Sequence, residues 1–181
     1  FALFKNNPFN QNSLASSFVW TICETADSTL WLGTNAHGIS CYDQHSSTFR
    51  HFDHNPSDPS SLAHSSIRKV YQDSRGRIWI GTDGGGLDLF NPRDQSFTHF
   101  RHDPLNSGSI SHNSVRTIYE DRHGKIWVGT RNGLNLLNND GVTFRRFLMD
   151  GSNEDGPPHN FIYSAIYQDQ EDNLWVGTYG G

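Results

Sequence analysis

Leu30-Trp31-Leu32-Gly33-Thr34 returns as Ile78-Trp79-Ile80-Gly81-Thr82, as Ile126-Trp127-Val128-Gly129-Thr130 and as Leu174-Trp175-Val176-Gly177-Thr178, each tryptophan 48 residues after the last. A fixed period of that length marks a repeat architecture, in which each unit buries its apolar face only against its neighbours. The surrounding text recurs as well. Asp73, Asp121 and Asp169 each lie six residues before the tryptophan. Downstream come a glycine and an aliphatic residue (Gly38-Ile39, Gly86-Leu87, Gly133-Leu134), then an aromatic pair (Phe49/Phe52, Phe97/Phe100, Phe144/Phe147). The opening Phe1/Phe4 is the same pair one period earlier.

Each unit reads as four short strands. In the second, Ile67 to Gln72 is strand A, Asp73-Ser74-Arg75-Gly76 a tight turn and Arg77 to Thr82 strand B. Asp83-Gly84-Gly85-Gly86 turns into strand C at Leu87 to Phe90, Asn91-Pro92-Arg93-Asp94 turns again, and Ser96 to Arg101 is strand D. A polar loop, His102 to Asn113, carries the chain to the next strand A. Four short antiparallel strands per unit of this size is the β-propeller blade pattern, so the fold class is all-β. The tryptophan of strand B is the expected anchor between blades.

On this reading residues 1–4 are strand D of a preceding blade, 18–52, 66–100 and 114–147 are complete blades, and 161–181 is the first half of a further one. That falls short of four full units. The expectation is an incomplete part of a larger propeller, or a chain that self-associates to cover its open blade edges.

Composition agrees with this and excludes other classes. Of 181 residues 13% are aromatic, 17 are glycine, and 18% are charged against about 25% in typical chains. The net charge is −5 and the basic residues are scattered, so no footprint for a nucleic-acid backbone exists. The longest unbroken apolar run, Phe1 to Phe4, is far too short to cross a membrane. No basic-then-apolar leader is visible and the first residue is not methionine, as expected of a mature product or an excised piece.

Ser114-Val115-Arg116-Thr117-Ile118-Tyr119-Glu120-Asp121, followed by Gly124-Lys125-Ile126-Trp127-Val128-Gly129-Thr130 and Asn132-Gly133-Leu134-Asn135, resembles the two-component regulator propeller repeat. The linker Asp103-Pro104-Leu105-Asn106-Ser107-Gly108-Ser109-Ile110-Ser111 is similar to that family's inter-blade loop. The resemblance implies a periplasmic or extracytoplasmic sensor segment of a bacterial histidine kinase or hybrid regulator. Carbohydrates are common signals of that family, and the propeller itself performs no catalysis. The first repeat departs from the pattern with Thr25 in place of the aspartate and Ser28 where two copies have glycine. The third lacks one residue in its B–C turn, which the spacing assigns back to the loop around Gly151 to His159.

Positions constant in all copies serve the blade; equivalent positions that vary are free to form a site. Strand A begins on the propeller face where strand B ends. Just inside strand A the equivalents are Trp20, Arg68, Arg116 and Ser164, and directly after each Gly-Thr they are Asn35, Asp83, Arg131 and Tyr179. Aromatic, guanidinium and carboxylate groups on one face suit a sugar or acidic oligosaccharide, aromatics stacking on the ring and Arg or Asp pairing its polar groups. A protein-interaction scaffold with no small ligand is the alternative, since fold alone does not fix function. A propeller lyase or glycosidase would need converging carboxylates, and only Asp83 occupies such a position.

Other motifs carry blander readings. His51/His99, His54/His102 and His64/His112 are repeat copies without zinc spacing. Asp53-His54-Asn55-Pro56-Ser57-Asp58 lacks the glycine and glutamate of a calcium loop. Gly84-Gly85-Gly86 has no Lys-Ser/Thr after it and reads as a hairpin turn. No cofactor or metal is called for. Cys23 and Cys41 flank strand B, about 10 Å apart, and are expected as free thiols.

Overall fold

The computed structural model describes residues 3–149 and 157–179. They form fourteen strands and no helix, so no helix among them is long and apolar enough to cross a membrane. Blade 1 comprises β1 (Val19–Glu24), β2 (Thr29–Thr34), β3 (Ile39–Asp43) and β4 (Thr48–Phe52). Blade 2 comprises β5 (Ile67–Gln72), β6 (Ile78–Thr82), β7 (Leu87–Asn91) and β8 (Ser96–Phe100). Blade 3 comprises β9 (Val115–Glu120), β10 (Ile126–Thr130), β11 (Gly133–Leu137) and β12 (Phe144–Phe147), and a fourth sheet pairs β13 (Ile162–Gln168) with β14 (Leu174–Thr178). Within the four sheets all strand pairings are antiparallel in simple meander order, and the first strands of successive sheets lie side by side.

Residues 1–2, and with them Phe1 of the opening aromatic pair, lie outside the described residues, as does most of the 151–159 loop. Of the strand D expected at 1–4, only Leu3 and Phe4 are among the described residues, and they lie in no strand. Phe4 nonetheless packs on Tyr42 and Phe49 with ring centroids 4.9 and 5.8 Å away. Phe52 sits on Phe90 and Phe97 in the same relation one repeat later.

The repeated Trp-x-Gly-Thr explains how blades meet. A Cβ added to Gly33 would lie 2.6 Å from Ile67, one on Gly81 2.7 Å from Val115, and one on Gly129 2.5 Å from Ile162. Each contact is impossibly close, so only glycine admits the β-branched residue that opens the next blade. Among the described residues, a Cβ on Gly177 would meet nothing nearer than 3.6 Å. The tryptophan two residues earlier shares this environment: Trp31 and Trp79 are buried in clusters formed with the following blade, Trp127 is half-buried against the fourth sheet, and Trp175 is 63% exposed. Thr34, Thr82 and Thr130 are fully buried, and each donates its hydroxyl to the carbonyl of Gly38, Gly86 or Gly133, which pins the B–C turn.

The recurring aspartate forms the turn and clasps the tryptophan. Asp73 Oδ1 accepts the amides of Arg75 and Arg77, and its Oδ2 accepts the Trp79 indole N–H at 2.9 Å. Asp121 and Trp127, and Asp169 and Trp175, repeat the arrangement at 2.9 and 2.7 Å. In blade 1 Thr25 binds only its own turn, through Asp27 and the Thr29 carbonyl. Trp31 pairs across β2 with both Cys23 and Cys41, so a whole strand separates the two free thiols, and burial pushes the Cys41 thiol up to about 12.

This packing makes two predictions. Trp79→Ala should cost about 3–5 kcal/mol in urea unfolding, and Gly81→Ala about 1–3, whereas Trp175→Ala and Gly177→Ala should each stay within about 0.5–1. Equal costs at the two ends would refute the inter-blade account. Acid should also weaken the fold. Burial opposes ionisation of Asp73, but the Trp79 and Arg77 hydrogen bonds outweigh it, and Asp169 is held down to about 2, first by Trp175 and then by Asn173. A depressed carboxyl stabilises fully above its unfolded value near 3.9 and loses that contribution as pH falls through its folded value. Asp73→Asn should therefore lower the melting temperature at pH 7 and converge on the unsubstituted chain toward pH 2.

Candidate functional site

The variable positions fall on one side of the inner edge because each lies beside a backbone bond that closes the top of strands A and B. The amides of Asn35, Asp83, Arg131 and Tyr179 donate to the carbonyls of Phe18, Ser66, Ser114 and Phe161. This register corrects one equivalence. Val19, Ile67 and Val115 pair with Thr34, Thr82 and Thr130, and Ile162 pairs with Thr178, so the residue matching Trp20, Arg68 and Arg116 is Tyr163, not Ser164. β13 carries an irregularity between Ile162 and Ile166. The residue missing from the third B–C turn is regained there, and the connection from Phe147 to Phe161 is as long as that from Phe100 to Ser114.

All seven expected residues then join in one contact ladder. The Trp20 indole donates to Asn35 Oδ1 at 2.9 Å, and the Arg68 guanidinium lies 4.4 Å above the Trp20 ring. Arg68 Nε donates to Asp83 Oδ2 at 3.0 Å, with a second bond from Nη2 to the same oxygen. Asp83 Oδ1 accepts the Ser114 hydroxyl at 2.5 Å and faces Arg116 Nη2 at 3.3 Å. Arg116 and Arg131 stand 5.6 and 5.5 Å from the Phe161 ring, and Phe161 packs with Tyr179 and Tyr163 at 5.7 and 5.9 Å. Ser114, Phe161 and Tyr163 were not singled out by sequence. Aligning the repeats on the buried β-branched residue of strand A rather than on the tryptophan would have found them.

The electrostatics favour an anionic or polar guest. Burial works against ionisation of Asp83, but Ser114 and the two guanidinium groups hold its carboxyl below the usual range. Both its oxygens are spent on protein partners, so Asp83 positions arginines rather than offering itself to a ligand. Arg116 is pushed down mainly by burial, and its Nε is buried with no hydrogen-bond partner among the described residues. Arg131 is exposed and makes no ion pair among them. Burial, with the charge of neighbouring His102 and Arg131, pushes His112 down; its Nδ1 accepts the Ser114 amide at 2.9 Å. His64 and His159 cap Ser66 and Phe161 alike.

The remaining repeated histidines are engaged within the fold. His54 and His102 bond the Leu62 and Ile110 carbonyls, His51 meets Ser40, and His99 meets the buried Asp88 at 2.7 Å. No group of three metal-ligating side chains exists among the described residues.

A family model described as two component regulator propeller matches residues 13–36, 61–84, 109–132 and 156–180, each match running from the D–A loop into the B–C turn. No curated protein matches the chain. Among solved structures, the chain is similar to the extracellular domain of a one component system, BT4673, from B. thetaiotaomicron, at 26% identity and TM-score 0.69, covering 91% of this chain and 21% of that one. It is similar at 26% identity and TM-score 0.68 to the extracellular domain of a hybrid two component system, BT3049, from the same organism, covering 99% of this chain and 28% of that one. PorZ, a surface component of the type-IX secretion system of Porphyromonas gingivalis, shares the fold at 19% identity and TM-score 0.50 over 98% of this chain and 33% of its own. The chain thus spans between a fifth and a third of the length of these structures. With the repeat matched four times over blades whose packing it explains, the chain belongs to the two component regulator propeller family.

Proposed function

We propose that this chain is part of the extracytoplasmic ligand-sensing propeller of a bacterial two-component signalling protein, and that its Trp20–Tyr179 face takes a carbohydrate. The observation that carries this reading is the ladder itself: aromatic surfaces at Trp20 and at Phe161, Tyr163 and Tyr179 bracket arginines that Asp83 holds in place. Trp20, Tyr163 and Tyr179 stay 48, 58 and 63% exposed, which leaves ring faces free to stack on a pyranose. Arg131 is exposed and forms no ion pair among the described residues, so its guanidinium donors are open to a guest. The likeness to extracellular domains of signalling systems supports the location.

The chain itself performs no catalysis in this reading. Asp83 links blade 2 to Ser114 and Arg116 of blade 3, so a guest that draws Arg116 away changes how the two blades are tied. The parent protein would pass that change to its output domain.

Calorimetric titration with a panel of neutral and acidic oligosaccharides tests the reading. Losing a hydrogen bond to a charged group costs about 1.5–3 kcal/mol, and losing a large stacked aromatic face costs about as much in buried area and ring contact, so Arg116→Ala and Trp20→Ala should each weaken binding roughly 10- to 100-fold. Binding that survives both substitutions unchanged would remove the site assignment.

A further inference from the structure

The turn face at the other end of the strands holds a cavity of about 700 Å³ between blades 1 and 2. It opens where the repeat is broken. Blades 2 and 3 and the fourth sheet each give their tryptophan a carboxylate acceptor, but Thr25 stands in that place in blade 1 and turns its hydroxyl to Asp27 and Thr29. Trp31 lines the cavity, is 2% exposed, and among the described residues its indole N–H has no acceptor.

The wall around that orphaned donor is chemically mixed. Ile78, Leu89 and Phe90 supply an apolar side. Arg50 and Arg75 also line it and form no ion pair among the described residues, whereas Arg77 is committed to Asp73. Asp27 is the cavity's one carboxylate among the described residues, and its Oδ1 is occupied by the Thr25 hydroxyl at 2.6 Å and the Thr29 amide at 3.2 Å. The Trp31 N–H meets the cavity with no protein acceptor among the described residues, so an incoming acceptor can take the place of solvent there, and a carboxylate beside arginine forms the stronger, charge-assisted kind of bond.

We propose that this cavity binds a small organic carboxylate, an apolar ring bearing one anionic group, whose carboxylate takes the acceptor place that aspartate fills in the other repeats. The apolar body rests on the Ile78–Leu89–Phe90 side, and Arg50 and Arg75 face the charge. The site is separate from the Trp20–Tyr179 face and does not depend on what binds there.

The test tracks the five indole N–H resonances by ¹H–¹⁵N NMR, assigned through single Trp→Phe variants, during titration with phenylacetate. Saturable movement of the Trp31 resonance in the millimolar range is expected, with Trp79 unmoved. Phenylacetamide, of the same shape without the charge, should bind at least tenfold more weakly, and Arg50→Ala should erase most of that preference. Thr25→Asp restores the aspartate of the other repeats; it should move the Trp31 resonance toward that of clasped Trp79 without ligand and abolish the response. A Trp31 resonance that phenylacetate leaves still, that responds equally to the amide, or that responds equally in Thr25→Asp with the clasp formed, overturns the proposal.

Discussion

Successive blades touch at a glycine, and the rest of the molecule is arranged around that approach. A β-branched residue at the start of one blade fills the space where the Cβ of Gly33, Gly81 or Gly129 would be. With the backbones so close, the tryptophan two residues earlier is sealed by the following sheet, and burying an indole is among the largest single gains a core residue makes. The burial of Trp31 and Trp79, the intermediate state of Trp127 and the exposure of Trp175 track the amount of neighbouring sheet each has, not any difference in sequence.

The same approach sets the register of the functional face. Once Ile67, Val115 and Ile162 are seated, the next residue of each strand must point to the opposite side of its sheet, because side chains alternate along a strand. Arg68, Arg116 and Tyr163 therefore line up along the inner edge. Residues of adjacent repeats, far apart in the chain, meet there as immediate neighbours. Asp83 can bind Arg68 and Arg116 together only because two blades are held this close.

Much of this was legible in the sequence. The period, the four strands per unit and the turn positions could be read because they are copied, and copying turns weak local signals into a strong one. All seven candidate residues came from comparing repeats with one another, and they form one ladder. Three features escaped. The extra residue in β13 is invisible when repeats are aligned on tryptophan, since the residue missing from the third B–C turn offsets it and leaves Trp127 and Trp175 one period apart, and Tyr163 was thereby displaced by Ser164. The commitment of both Asp83 oxygens to Arg68, Ser114 and Arg116 needs three-dimensional distances, as a carboxylate in a set of equivalents looks free. The aspartate before each tryptophan was legible as a turn-former, whereas its grip on the indole six residues later was not.

The glycine contact also bears on how such a protein grows. Gly33, Gly81 and Gly129 present the same notch to the following sheet, which fills it with Ile67, Val115 or Ile162. Duplicating one unit of the gene therefore supplies a blade that already carries both halves of this glycine contact. Divergence is then free to act on residues such as Trp20, Arg68, Arg116 and Tyr163, which vary in kind while the packing beneath them stays fixed.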